Sequence, residues 1–303
     1  MVQSIYTEIE RGITSNFIDL ELKRTLLTFV DFKAKSGFPF GELTLLHYHM
    51  FGGESEEIYK AAASIESMIL ALDILDDLQD KDNGSAPWSG MHTGIAMNAA
   101  TGLLSLSYRI IENASFSDAR KKDAISYFHT CILHAMDGQH RDLSESIRNE
   151  EDLINLIQLK SGSLTAAACL LGTALTTGEH HQEVKEYSTH IGIAAQIAND
   201  IEDVCCWEKK SDFLHKKVTL PVLFLLQSKH EDYQIVKRYY QGLIEEKEVL
   251  HRKQEIEALI KNSGSLQYAA VIMRVHQLKA MEHINRLPLS QLWKEKLLKN
   301  INM

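Results

Sequence analysis

Only four prolines (Pro39, Pro87, Pro221 and Pro288) interrupt 303 residues, so little stands in the way of long helices. Alternating β-branched runs bounded by turn signals are missing, which leaves a sheet without support. Cysteine is as scarce: Cys131, Cys169, Cys205 and Cys206 are scattered through apolar stretches without a C-x-x-C pair. That excludes a cysteine zinc site and a disulfide framework, and favours a reduced, cytoplasmic compartment. A basic excess is also absent. The formal net charge of -9 excludes a broad nucleic-acid surface. An anionic substrate stays compatible with it, because bound divalent cations reverse the local field. The first ten residues carry acids and no apolar core, unlike a signal peptide, and no apolar run reaches the roughly 18 residues of a membrane span. The expectation is a cytoplasmic protein with no transmembrane segment, peripheral membrane association being left open.

What is present is helical period. Ile5, Ile9, Ile13 and Phe17 recur at i+4, and Ile154, Ile157, Leu164, Ala168 and Leu171 continue one apolar stripe through about five turns. Breaks are short: Ser36 to Gly41, Gly52 to Ser55, Asn83 to Gly94, Gly178 to His181, and Asn262 to Ser265 before a last long helix, Leu266 to Arg286. No low-complexity linker divides the chain. The reading is all-α, a single domain over residues 1–303 with ten or more helices.

The segment Glu66 to Asp80 carries the strongest local signal. Asp73, Asp76, Asp77 and Asp80 stand at i, i+3, i+4 and i+7, within roughly a 100° arc of one helix face. Like charges at that spacing repel, by about 0.2–0.5 kcal/mol per pair even in water. The remainder of the helix is apolar (Met68, Ile69, Leu70, Leu72, Ile74, Leu75), so the acid face abuts a core and calls for a cation. Hard oxygen ligands select Mg²⁺ or Ca²⁺. A solvated acidic face is the plain alternative. A second apolar helix, Gly192 to Asp203, presents Gln196, Asn199, Asp200 and Asp203 on a comparable arc. Two such faces suggest a pair clamping metals between them, with a polyphosphate completing the shell. Lys160 in Leu159-Lys-Ser-Gly-Ser-Leu164 and Lys217 just before Pro221 supply cations. For Lys217 a surface reading is equally consistent with the spacing.

These motifs make the chain resemble the trans-isoprenyl diphosphate synthase family over nearly its whole length. Asp76-Asp77-Leu-Gln-Asp80 is similar to the family's first aspartate-rich motif. Gln196-Ile-Ala-Asn199-Asp200-Ile-Glu-Asp203 is similar to the second, with Asn199 where aspartate is usual. Gly138-Gln139, Lys160-Ser161 and Lys217-Val-Thr-Leu-Pro221 match further family steps. The resemblance implies an isoprenoid synthase fold, with antiparallel helices around a central active-site cavity. It also implies a homodimer and three Mg²⁺ ions that draw diphosphate from an allylic prenyl donor. By position, Asp76 and Asp80 would bind two metals and Asn199, with Asp200 and Asp203, the third. Asp77 would share in catalysis, while Lys160, Ser161, Gln196 and Lys217 would hold the diphosphate or steady the developing carbocation.

The departures narrow the expectation. Where the family carries a basic G-K-x-x-R-P segment for isopentenyl diphosphate, this chain has Gly37-Phe-Pro-Phe-Gly-Glu42. Where the family has R-R-G, it has Pro87-Trp-Ser-Gly-Met-His92, and Ile69 replaces a histidine. The donor half is kept and the anionic-acceptor half is lost, so an uncharged aromatic acceptor stacking on Phe38 and Trp88 is expected. The pattern is similar to a branch of the family in Bacillus that prenylates a tryptophan of a competence pheromone precursor, a quorum-sensing peptide. Ala71 and Leu72, one turn before the first motif, leave room for a long tail and favour farnesyl over geranyl. The rival readings are a chain-elongating polyprenyl synthase, which would keep the basic acceptor site, and a terpene cyclase, which needs no second substrate. A third, an inactive partner subunit, would be expected to have lost its aspartates.

Overall fold

The computed structural model describes residues 1–80, 84–144, 147–178, 181–205, 207 and 212–301. Asn83, Glu179 and His180 of the expected breaks, and Cys206, lie outside them. The described residues are helical throughout, without a strand. In order they form α1 (Val2–Asn16), α2 (Leu20–Ala34), α3 (Pro39–Met50), α4 (Ile58–Asp80), α5 (Thr93–Glu112), α6 (Asp118–Leu143) and α7 (Glu150–Ile157). A π-turn, Gln158–Gly162, leads into α8 (Ser163–Thr177) and then α9 (Gln182–Asp203). After α10 (Leu220–Gln227) come α11 (Gln234–Tyr240), α12 (Glu246–His251), α13 (Lys253–Asn262), α14 (Ser265–Arg286) and α15 (Gln291–Ile301).

The apolar periods explain the packing. Ile5, Ile9 and Ile13 are fully buried along one side of α1, which lies against α4. From Ala61 to Ala71 every residue of α4 is buried, the mark of a helix covered on all sides. Its neighbours are α1, α2, α3, α5 and α8, and α9 packs along α8 and α14. The expected break at Ser36 to Gly41 is shorter in the structure: Pro39, whose missing N–H costs nothing in a first turn, already opens α3. The stripe from Ile154 to Leu171 is one continuous rod, but its register shifts at the π-turn, which no 3.6-residue period announces. By length and composition Glu150–Thr177 passes as a membrane span, yet 61% of its apolar window is buried inside the fold. It serves as a core helix.

One buried histidine ties stability to pH. His47 on α3 is fully buried, its Nδ1 bonded to the Leu43 carbonyl at 2.7 Å and its Nε2 to the Tyr187 hydroxyl of α9. Burial depresses it to about 4, the Leu43 carbonyl opposing. The folded state therefore holds His47 neutral while the unfolded chain takes up a proton below about 6.5. This contribution is complete above pH 6.5 and is lost as the pH falls towards 4. Urea unfolding at pH 5 should show about 2 kcal/mol less stability from this group than at pH 7. His47→Gln should flatten that slope, and a slope equally steep in the variant would count against the assignment.

Candidate active site

At Leu72, α4 begins to leave the core, and its carboxylates find four different partners. Asp73 Oδ2 accepts from Lys33 Nζ of α2 at 3.0 Å, and Asp77 Oδ2 from the Trp88 indole N–H at 2.9 Å. Asp76 Oδ1 lies 3.4 Å from Lys160 Nζ, and Asp80 Oδ2 lies 2.9 Å from Lys217 Nζ. The acidic face read from the sequence is thus divided. Asp73 and Asp77 are tied to the scaffold, while Asp76 and Asp80 meet the two cations singled out with them.

Each cation is delivered by an irregular backbone. Lys160 and Ser161 sit in the π-turn, and Lys160 Nζ also donates to Asp142 Oδ2 of α6 at 2.7 Å. Gly138 allows that approach, since a Cβ there would stand 2.7 Å from Lys160 Cγ. Lys217 follows Lys216, which has a left-handed φ of 59° and is the one non-glycine with positive φ among the described residues. Strain of that kind costs of order 1–3 kcal/mol and collects at functional sites. Lys217 Nζ is 3.6 Å from Asp212 Oδ1 as well as close to Asp80. On the far side, Ser161 Oγ donates to Gln196 Oε1 at 2.7 Å, and Gln196 Nε2 donates to Asp200 Oδ1 at 2.9 Å. A polar chain therefore runs from the π-turn to the second acidic motif. Asp203 is half-buried beside it, and Asn199 stands exposed one turn from both Gln196 and Asp203.

Electrostatically the two motifs meet through Lys217. Burial pushes the Asp76 carboxyl up, Lys160 and Lys217 opposing and Asp80 adding to the rise. Burial likewise drives Asp200 up to about 7, with Gln196 opposing and Asp212 and Asp203 adding their repulsion. Burial works against the charge on Lys160, but Asp76 and Asp142 more than restore it. Lys217 is opposed by burial and held above the ordinary lysine range by Asp212, Asp80 and Asp76. Lys217 thus interacts with carboxylates of α4 and of the approach to α10, and with Asp200 of α9. A nearly buried carboxyl such as Asp200, with two acids beside it, is short of positive charge. That deficit and an all-oxygen donor set fit Mg²⁺. Asp76, Asp80, Asp200 and Asp203, with the Asn199 amide, would hold it, and when bound it supplies positive charge to phosphate oxygens.

Two expectations are corrected. Phe38 is 1% exposed and Trp88 2% exposed, both inside the main core, so neither offers a free face for an acceptor to stack on. Trp88 is held edge-on by Phe29 and Phe32, each centroid 5.3 Å away, and its N–H is committed to Asp77. Its place is to orient Asp77. Trp88→Phe should keep an aromatic ring against Phe29 and Phe32 but lose the hydrogen bond to a charged group and leave a small void, costing about 1.5–3 kcal/mol of stability or more and lowering kcat. A rise in acceptor KM alone, with an unchanged melting temperature, would return Trp88 to a contact role.

Other residues escaped the sequence reading. Asp142 stands one turn from Gly138 on α6, a spacing that could have flagged it as sharing a face with the Gly-Gln pair. Asp212 lies five residues before Lys217 with no pattern to single it out. Glu66 is fully buried under α3, accepting from the Gly41 N–H at 2.6 Å. Burial lifts Glu66 to about 7, with Lys33 opposing.

The polyprenyl synthetase family profile matches residues 41–259. The chain belongs to the polyprenyl synthetase family. It is 33% identical over 295 residues to tryptophan prenyltransferase ComQ of Bacillus subtilis subsp. natto, covering 97% of this chain and 90% of that one. The same enzyme of Bacillus spizizenii is 32% identical over 270 residues, covering 89% and 94%. Among solved structures, a geranylgeranyl pyrophosphate synthetase from Pyrococcus horikoshii superimposes with a TM-score of 0.81 at 24% identity, covering 99% of this chain and 94% of that one. That likeness establishes the isoprenoid synthase fold of the polyprenyl synthetases. Both aspartate motifs and both lysines described above fall within the matched residues.

Proposed function

We propose that this polyprenyl synthetase-family chain is a prenyltransferase that moves a farnesyl or geranyl group from its diphosphate to a tryptophan of a peptide. The peptide would be the precursor of a quorum-sensing competence pheromone. The observation that carries the reading is the one-third identity, over nearly the whole chain, to enzymes named as tryptophan prenyltransferases. The acceptor side supports it. Lys33 of α2 is already engaged by Asp73 and Glu66, and Lys35, nearer the altered segment, lies against the Phe32 ring at 5.7 Å. A second diphosphate buried there would lack the charge-assisted donors it needs.

Within this reading Lys160 and Lys217 exchange their carboxylate partners for the donor's diphosphate oxygens. Their hydrogen bonds strengthen as negative charge gathers on the leaving group. Gln196, fixed at both ends by Ser161 and Asp200, keeps its amide oxygen turned towards the π-turn, where positive charge would develop on the prenyl carbon. The bond from that carbon to oxygen breaks first, the electron pair leaving with diphosphate, and the allylic cation is then captured by indole C3. The peptide's own backbone nitrogen then closes onto C2, and the released diphosphate takes the proton. Three Mg²⁺ ions, a homodimer and a cytoplasmic location belong to the same reading. For the dimer, support comes from the exposed apolar side chains Ile95, Met97, Leu133 and Met136 on α5 and α6.

The test is mass spectrometry of tryptophan-containing peptides incubated with the protein, Mg²⁺, and geranyl or farnesyl diphosphate. A gain of one prenyl mass on the peptide, with no elongated product from isopentenyl diphosphate, is expected. Efficient elongation without any peptide would identify a chain-length synthase, and a hydrocarbon product without peptide a cyclase.

A further inference from the structure

Away from the aspartate motifs, α9 and α14 bring three potential metal ligands together. Glu186 and His190 stand one turn apart on α9, His283 projects from α14, and one ligand atom from each lies within 4.8 Å of the other two. We infer that Glu186, His190 and His283 form a second metal site, for Zn²⁺ or a similar borderline transition ion, that pins α9 to α14. The donor set separates it from the Mg²⁺ cluster: two imidazoles and one carboxylate suit Zn²⁺, Co²⁺ or Ni²⁺, whereas Mg²⁺ prefers oxygen alone.

The surroundings are those of a ligating pair of histidines. His283 Nδ1 is bonded to Glu183 Oε2 at 2.7 Å, and His190 Nδ1 faces His276 Nδ1 at 3.1 Å. Both rings therefore have Nδ1 engaged, which leaves Nε2 as the atom for a metal. A histidine held through its other nitrogen by a carboxylate is the usual outer arrangement of zinc sites, because it fixes the tautomer and raises ligand basicity. Glu186 is steadied in turn: the Gln182 amide donates to its Oε1, leaving Oε2 for the metal. All three ligands are half-buried, so the ion would be partly shielded yet reachable. A cavity of about 700 Å³ lined by Asn155, Gln158, Ile272, His276 and Lys279 reaches one of the three ligands, His190. Lys279, on α14 between His276 and His283, opposes a cation here, as does Arg286 at 4.0 Å from Glu183 Oε2, so removal of Lys279 should tighten binding.

No spacing in the sequence announces this site. Glu186 and His190 form an ordinary i,i+4 pair, and their third member is 93 residues on, arriving only because α14 packs along α9. Its consequence lies in α9, which also carries Gln196, Asn199, Asp200 and Asp203 at its other end. A cross-link at Glu186 and His190 would restrict sliding of that helix against α14.

The experiment uses the full chain stripped with a chelator, then titrated with Zn²⁺ calorimetrically in excess Mg²⁺, which keeps the aspartate cluster occupied. Co²⁺ absorption reports the geometry independently. One tight equivalent per chain, with the intense visible bands of a four-coordinate imidazole-carboxylate site, is expected. His283→Ala should abolish it, and Glu183→Gln, which touches no metal, should weaken it by about 10–100-fold. Lys279→Ala should bind more tightly than the unaltered chain. Where His283→Ala fails to match the native circular dichroism, Glu183→Gln and Lys279→Ala still decide the matter. Absence of a tight equivalent in excess Mg²⁺, or affinities unchanged in Glu183→Gln and Lys279→Ala, would overturn the site.

Discussion

Asp80→Asn should lower turnover by about 10²–10³-fold or more while leaving the helical circular dichroism and the melting temperature nearly unchanged. The separation of the two effects is the point. In the folded chain Asp80 sits 2.9 Å from Lys217 and raises the Asp76 carboxyl by repulsion, so one attraction and one repulsion leave together. Lys217 keeps Asp212 at 3.6 Å, so the lysine is not left unpaired and the loss of stability stays small beside the loss of turnover. Turnover has no such compensation, because a neutral amide cannot replace a carboxylate as a strong Mg²⁺ ligand. The variant should also need more Mg²⁺ for half-maximal rate, and EDTA should abolish the activity of the unaltered protein. Activity that survives EDTA, or an unchanged Mg²⁺ titration in Asp80→Asn, would remove this aspartate from the metal site.

Gly192→Ala should damage the protein from a position that touches no substrate. A Cβ on Gly192 would lie 2.6 Å from the Ser161 carbonyl oxygen, 2.6 Å from Thr165 Oγ1 and 2.9 Å from Gly162 Cα. Two of these are backbone atoms, so a rotamer change cannot relieve the clash. Either α9 or the π-turn must move. Overpacking of this kind costs about 1–3 kcal/mol. The displacement falls on the Ser161–Gln196–Asp200 chain, whose bonds are 2.7 and 2.9 Å long, and a shift near 1 Å can cost on the order of 10²-fold in rate. The expected result is a folded but less stable protein, with kcat reduced far more than donor KM. Native kcat with a lowered melting temperature would mean that the close approach serves packing alone.

How far the sequence speaks depends on the distance over which each feature is decided. α4 and α9 were legible because their acids and apolar residues repeat within one helix, and α14 begins within one residue of the expected Leu266. The partners of Lys160 were not, since Asp76 is 84 positions away and Asp142 is 18, and only the packing of α4, α6 and the π-turn brings them together. Phe38 and Trp88 misled for a different reason. Aromatic residues replacing lost cations look the same in sequence whether they line a cleft or fill a core, and here Phe29 and Phe32 claim Trp88. Lys217 was ambiguous because its irregular, turn-rich approach to α10 carries no period, and its role rests on the turn at Lys216.

The π-turn at Gln158–Gly162 has a genetic meaning as well as a geometric one. Its wider i→i+5 loop holds one residue more than an α-turn, so the rod from Glu150 to Thr177 carries the equivalent of a single-residue insertion. Removing one codon there would hardly shorten the helix. It would close the widened loop into a regular α-turn, keeping α8 in phase with α7 but removing the bulge that presents Lys160 and Ser161. At this locus an in-frame deletion is as consequential as the loss of the lysine itself, whereas point substitutions at Gln158 leave the residue count, and with it the bulge, unchanged.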